Sequence, residues 1–136
     1  MRQTKTAIEK IAIEPRSLKA FDLVTKVGLT LPDVESATRY DGSPVLKVGG
    51  AFMAGLALDA SAEPETLVVR ADVEEREWLL QDAPEVYYLT DYYRGHPVVL
   101  ARLSRLDRAA LHDLLAMSRR LTLPKARIPR RRPGGL

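Results

Sequence analysis

The 136-residue chain contains no cysteine. That absence removes disulfides, thiolate nucleophiles, iron–sulfur clusters and thiolate zinc sites in one step. It fits a reducing compartment, and a bacterial-type cytoplasmic protein is the simplest reading. No apolar run approaches the roughly 20 residues that a membrane-spanning helix needs, so no membrane partner is expected. The stretch from Met1 to Arg16 lacks the apolar centre of a secretory signal. Histidine is scarce as well, with only His96 and His112. His96 sits in a Gly95-His96-Pro97 turn and His112 falls on the polar side of a helical pattern. Neither has metal-ligand spacing or a nucleophile motif beside it. Gly49-Gly50 has no phosphate-loop lysine and serine pattern around it. No catalytic residue, cofactor or metal is therefore assigned, and the chain reads as non-enzymatic.

What is present suits one domain. Apolar residues make up 46% of the chain and charged residues 29%, ordinary values for a globular protein long enough to bury a core without staples. The net charge of +3 is unevenly spread: residues 1–101 hold 11 basic and 16 acidic side chains, whereas residues 102–136 hold 10 and 2. A positive C-terminal quarter attracts phosphate backbones or acidic partners. A solvated helix followed by a basic tail explains the same gradient without a ligand.

Hydrophobic spacing divides the chain into elements. Residues 1–15 read as an extension in which Ile8, Ile11 and Ile13 could form a helical turn or a strand. Ser17 reads as the cap of a helix with Leu18, Phe21, Val24 and Val27 on one face, ending near Gly28. Strands are expected at Ser36–Tyr40, Val45–Val48 and Ala51–Leu58, with Gly49-Gly50 as a two-residue hairpin turn, and at Leu67–Val69. Asp72 should cap a second helix that buries Trp78, Leu79 and Leu80. The carboxylates Glu74, Glu75 and Glu77 in its first turns suit the helix dipole. Strands follow at Val86–Thr90 and Val98–Leu103, joined by a loop or wide hairpin tip at Asp91–Pro97. A last helix from Asp107 to Leu121 has Ala110, Leu111, Leu114, Leu115, Met117, Ser118 and Leu121 on one arc. Pro124 stops it. The tail 125–136 has five basic residues and no acid and is expected to be flexible. The domain proper is residues 16–124, an α+β fold with a mostly antiparallel sheet and helices on one side.

Several segments together resemble the MmcQ/YjbR-like family. They are Leu31-Pro32-Asp33-Val34-Glu35, Pro44 to Gly50, Glu74-Glu75-Arg76-Glu77, Tyr92 to Leu103, and Leu121-Thr122-Leu123-Pro124-Lys125. The resemblance implies an α-β(3)-α-β(2)-α order like that of secretion-chaperone-type folds. It also implies DNA binding through hairpin wings and no established enzymatic activity. Two positions depart from the family pattern: Tyr92-Tyr93 stands where His-Tyr is common, and Val98 where Trp is common.

The residues assigned to nucleic acid are Lys47, Tyr92, Tyr93, Arg94, His96, Arg102, Arg119, Arg120, Lys125, Arg127, Arg130, Arg131 and Arg132. Tyrosine beside arginine can stack on bases and contact phosphate. Without a base-reading motif, such binding has weak sequence specificity and strong salt dependence. Tyr87 and Tyr88 should point to opposite sides of the sheet. Alternatives are a protein-interaction adaptor, as a homodimer using a sheet face or the tyrosine edge, and a small-ligand domain with a cavity lined by Lys47, Trp78 or tyrosines.

Overall fold

A computed structural model describes residues 14–125. The N-terminal Ile8–Ile13 reading and the tail residues Arg127, Arg130, Arg131 and Arg132 lie outside the described residues, as does the side chain of Lys125. The elements run α1 (Pro15–Gly28), β1 (Val34–Thr38), β2 (Pro44–Val48), β3 (Ala51–Leu56), β4 (Thr66–Arg70), α2 (Val73–Asp82), β5 (Tyr87–Tyr88), α3 (Asp91–Arg94), β6 (Val98–Arg102) and α4 (Arg108–Thr122), with 3-10 turns at Leu103–Arg105 and Leu123–Lys125. The chain is α+β. Four strands precede α2 where the family resemblance implied three, because Val34–Thr38 pairs fully with β2.

All strand pairs are antiparallel, in the order β1-β2-β3-β4-β6-β5. After β4 the chain passes through α2 to the sheet edge at β5, then returns through α3 so that β6 inserts between β4 and β5. The β2–β3 hairpin turns at Gly49 and Gly50, with φ of 59° and 80°, as a two-residue turn of this hand requires.

The inner sheet face and the helices α1 and α4 enclose the main core. Leu46, Val48, Leu56, Leu67, Val69, Val99 and Ala101 from the strands meet Phe21, Val24 and Val27 of α1 and Leu111, Leu114 and Leu115 of α4. Gly28 lets α1 approach β2, since a Cβ there would collide with Leu46. The α4 arc matches its expected buried face. Its cap is Asp107, whose carboxylate accepts from the Ala110 N–H at 2.8 Å. Helix α1 starts earlier than expected. Pro15 occupies its first turn and Glu14 the cap position, a place where proline's missing N–H does no harm. Ser17 is buried instead, and its Oγ accepts from the Glu65 N–H at 3.1 Å.

Two expectations for the second half of the chain are corrected. The strand expected at Val86–Thr90 shrinks to Tyr87–Tyr88, because Thr90 already serves as the cap position of α3. Helix α2 does not bury Trp78, which is 62% exposed; the buried residue of that helix is Arg76. Leu79 and Leu80 are partly buried against the core, as expected. Strand period governs which face Tyr87 and Tyr88 take: Tyr87 joins the main core and Tyr88 the outer face.

Candidate binding surface

The outer face of the sheet divides into two halves. Over β4, β6 and β5 it is covered. Val68, Val98 and Leu100 form a second apolar cluster closed by Tyr93 of α3, with Phe52, Ala57, Ala62, Tyr88 and Leu89 packed around it. The Tyr93 hydroxyl accepts from the Asp59 N–H at 3.3 Å, and burial pushes its pKa up from the usual tyrosine value. The segment read as a projecting hairpin tip is therefore a helical turn laid across the sheet. Arg76 anchors it from behind: its buried guanidinium donates to the carbonyls of Arg94 at 3.3 Å, His96 at 2.8 Å and Val98 at 3.3 Å. Tyr92 stays outside, 57% exposed. It stands edge-on to Tyr93 with ring centroids 4.9 Å apart and tilted against His96 at 5.9 Å. Arg94 is exposed beside Asp91 at 3.9 Å.

The basic residues named from sequence do not share a surface. Arg102 lies on the covered half and is fully engaged. Nε and Nη2 donate to the two Glu63 carboxylate oxygens at 2.9 Å each, and Nη1 donates to the Pro84 and Glu85 carbonyls. Its guanidinium also stacks 4.3 Å from the Tyr88 ring centroid. The hydrogen bond from Arg102 holds the Glu63 carboxyl below its usual pKa. Such a bidentate, stacked arginine has little left for a phosphate. Arg119 and Arg120 are on α4, across the sheet. Arg119 Nε donates to the Pro32 carbonyl at 2.7 Å with Asp33 4.0 Å away, and Arg120 lines a groove among acids. One continuous patch of Arg94, Arg102, Arg119 and Arg120 is thus excluded by topology.

The other half, over β1, β2 and β3, is crossed by no helix among the described residues; α1 and α4 pack on the inner face. Register assembles a row here. Glu35 pairs with Lys47, Lys47 pairs with Phe52, and Arg70 Nε donates to the Phe52 carbonyl at 3.3 Å. Phe52 reaches this face through a bulge. Leu46 pairs with Ala54 but Lys47 with Phe52, leaving Met53 as an extra residue. Strict alternation with Ala54 and Leu56 would have sent Phe52 inward. The bulge buries Met53 instead, and its carbonyl accepts from Ser118 Oγ at 2.8 Å.

Arg39 completes the row from the end of β1. Its Nη1 donates to Ser43 Oγ and to the Leu56 carbonyl, each at 3.0 Å, and its guanidinium lies 5.7 Å from the Phe52 ring centroid. Gly55 makes this possible, because a Cβ there would stand 2.8 Å from Arg39 Nη2 and 2.9 Å from Val45 Cγ1. Arg39, Lys47 and Arg70 are half-buried, and none makes an ion pair among the described residues. The nearby Asp41 has its pKa lowered chiefly by the Ser43 N–H, with a smaller pull from Arg39. Of the sequence-named residues only Lys47 belongs to this row. Arg39, Phe52 and Arg70 were missed. Period-2 alternation along β1 and β4 would have flagged the two arginines, but nothing local marks the bulge.

No family model, no curated protein and no solved structure matches this chain. Among the described residues no group of three or more His, Cys, Asp or Glu could hold a metal, and no helix is long and apolar enough to cross a membrane.

Proposed function

We propose that the protein is a non-enzymatic, MmcQ/YjbR-like binding module that holds DNA through phosphate contacts with weak sequence specificity. One observation supports this above the rest: Arg39, Lys47 and Arg70 gather around Phe52 at the uncovered half of the sheet and its β4 border, none of them in an ion pair among the described residues, with Glu35 as the cross-strand neighbour of Lys47. Adjacent strands lie about 4.8 Å apart, so β2 and β4 place two cations roughly 10 Å from one another with an aromatic ring between. That arrangement suits a sugar-phosphate chain laid across the strands, with base stacking available at the ring. Among the described residues no helix lies beside the row, since α1 and α4 pack on the inner face, in keeping with weak specificity.

Charge refines the reading. Residues 14–125 hold 14 basic and 17 acidic side chains, while residues 126–136 hold four arginines and no acid. The folded part is net negative, so attraction to DNA must be local to the row, with the tail arginines adding to it. Anisotropy titration of a labelled oligonucleotide tests this at about 50 and 200 mM salt. Replacing Arg39, Lys47 and Arg70 together by Ala should weaken binding at least tenfold and reduce the log–log salt slope by about 2 to 3, near 0.9 per lost contact. Failure of the native chain to bind at low salt, or full affinity in the triple variant, overturns the proposal.

A further inference from the structure

The two edges of the sheet are β1 and β5, and they differ in kind. β5 holds two residues, a length that resists pairing with another chain. β1 holds five, of which Glu35, Ser36 and Thr38 are exposed. It contains no proline or lysine, its one charge is Glu35, and its register with β2 has no bulge. Most devices that keep an edge from pairing are therefore missing. Register shows where its backbone groups point. The Arg39 N–H donates to the Ser43 carbonyl at 2.8 Å. Bonded positions alternate in an antiparallel pair, so Glu35 and Ala37 also face β2, while Ser36 and Thr38 direct N–H and C=O outward. Pro44, which has no N–H, stands opposite Thr38, as this alternation requires. The next outward N–H, that of Val34, is already taken by the Leu31 carbonyl at 3.4 Å. Among the described residues no strand pairs beyond β1.

A second copy of β1 fits these groups in one register. A two-fold axis perpendicular to the sheet keeps both outer faces on one side, so a symmetric antiparallel pair must centre on a residue. Centred on Glu35, it sets like charges opposite each other. Centred on Ser36, it spends outward groups on Val34, whose N–H is engaged. Centred on Thr38, it sets Glu35 against the partner's Asp41. Centred on Ala37, Ser36 of each chain exchanges both bonds with the partner's Thr38, and every outward N–H and C=O of these two residues is satisfied. Glu35 then stands opposite the partner's Arg39 on the outer face, a cross-strand pair of opposite charge. Tyr40, fully exposed in one chain, comes alongside the partner's Val34, next to the turn that carries the exposed Leu29. We propose that the chain forms a symmetric homodimer by antiparallel pairing of β1 with the β1 of a second copy, centred on Ala37. The pairing does not rest on the DNA reading, which uses one chain.

Sedimentation equilibrium of the full chain should show a mass rising towards two chains between about 10 and 1,000 µM, the regime of an interface below standard size. Over the same range, amide exchange at Ser36 and Thr38 should slow at least about fivefold, while Ala37, already bonded to β2, changes little. Ser36→Pro removes an outward donor and leaves the β2 ladder intact, as an edge position allows. It should weaken association at least about tenfold with a near-native urea midpoint. Glu35→Lys sets like charge opposite the partner's Arg39 and should weaken association about fivefold; it gives the same reading if the proline variant does not fold. A chain that stays monomeric at about 1 mM overturns the proposal. So does native-strength association of either variant, or a dimer whose Ser36 and Thr38 amides exchange at the monomer rate, since the contact then lies on another face.

Discussion

Arg102 and Arg39 both lie on the outer face of one sheet, yet their surroundings differ in kind. Arg102 stands where a loop and α3 cover the strands. It clamps Glu63 through two bonds and stacks on Tyr88. Arg39 stands where no helix crosses the strands. It spends Nη1 on Ser43 and Leu56 and leans over Phe52 with no ion pair among the described residues. The first arginine holds structure together; the second is available. A list of basic residues cannot separate them, because the separation depends on which carboxylate the fold delivers to each.

The comparison can be tested from its strongest element down. Tyr93 closes the covered half, so Tyr93→Ala should destabilise the chain by about 3 kcal/mol, the scale of removing a buried aromatic. Urea unfolding reads this, and DNA affinity of the folded variant should stay near native. Arg76→Met leaves three carbonyls without their charged donor and should lower stability by about 2 kcal/mol. If it proves neutral, α3 is held by Tyr93 alone. Arg102→Ala is expected to lose about 1 kcal/mol or less, as a mostly surface pair with some stacking, and to leave DNA affinity within about twofold. Arg39→Ala should differ in binding: it loses about 1 kcal/mol of stability with its hydrogen bonds to Ser43 and Leu56, and it should bind DNA clearly more weakly. Identical profiles for these two variants would erase the distinction between the halves.

The smallest effect is one of pH. Glu63 ionises at a lower pH in the folded chain than in the unfolded one, mainly through its hydrogen bond to Arg102. Its contribution is therefore complete above the ordinary glutamate value of 4.5 and is lost as pH falls from there through the lower folded value. Glu63→Gln should flatten a small part of the acid side of the stability profile, read by urea midpoints between about pH 3 and 6. An unchanged profile would mean that the clamp contributes nothing outside the folded contact geometry.

Much of the chain was legible before folding because the signals are local. The start of α4 near Asp107, the arc of α4, the Gly49-Gly50 turn and the end of α1 at Gly28 each depend on neighbours within a few residues. The opposite facing of Tyr87 and Tyr88 follows from strand period alone. Errors gathered where distant partners decide. Trp78 looked buried because apolar residues flank it, yet α2 turns Arg76 inward to meet carbonyls about 20 residues away. The Tyr92–Tyr93 pair looked like a projecting tip until a second apolar cluster on the outer face required a cover.

By itself, then, the sequence determined the α+β class, most element positions and the absence of thiol chemistry. Composition and short-range periodicity are sufficient for those. Tertiary structure alone decided the candidate site. One extra residue at Met53 turns Phe52 to the outer face, pairing across three strands brings Lys47 and Arg70 to it, and Gly55 clears the path for Arg39. Each step joins residues whose separation along the chain exceeds any local period, so only the register of the assembled sheet could place them together.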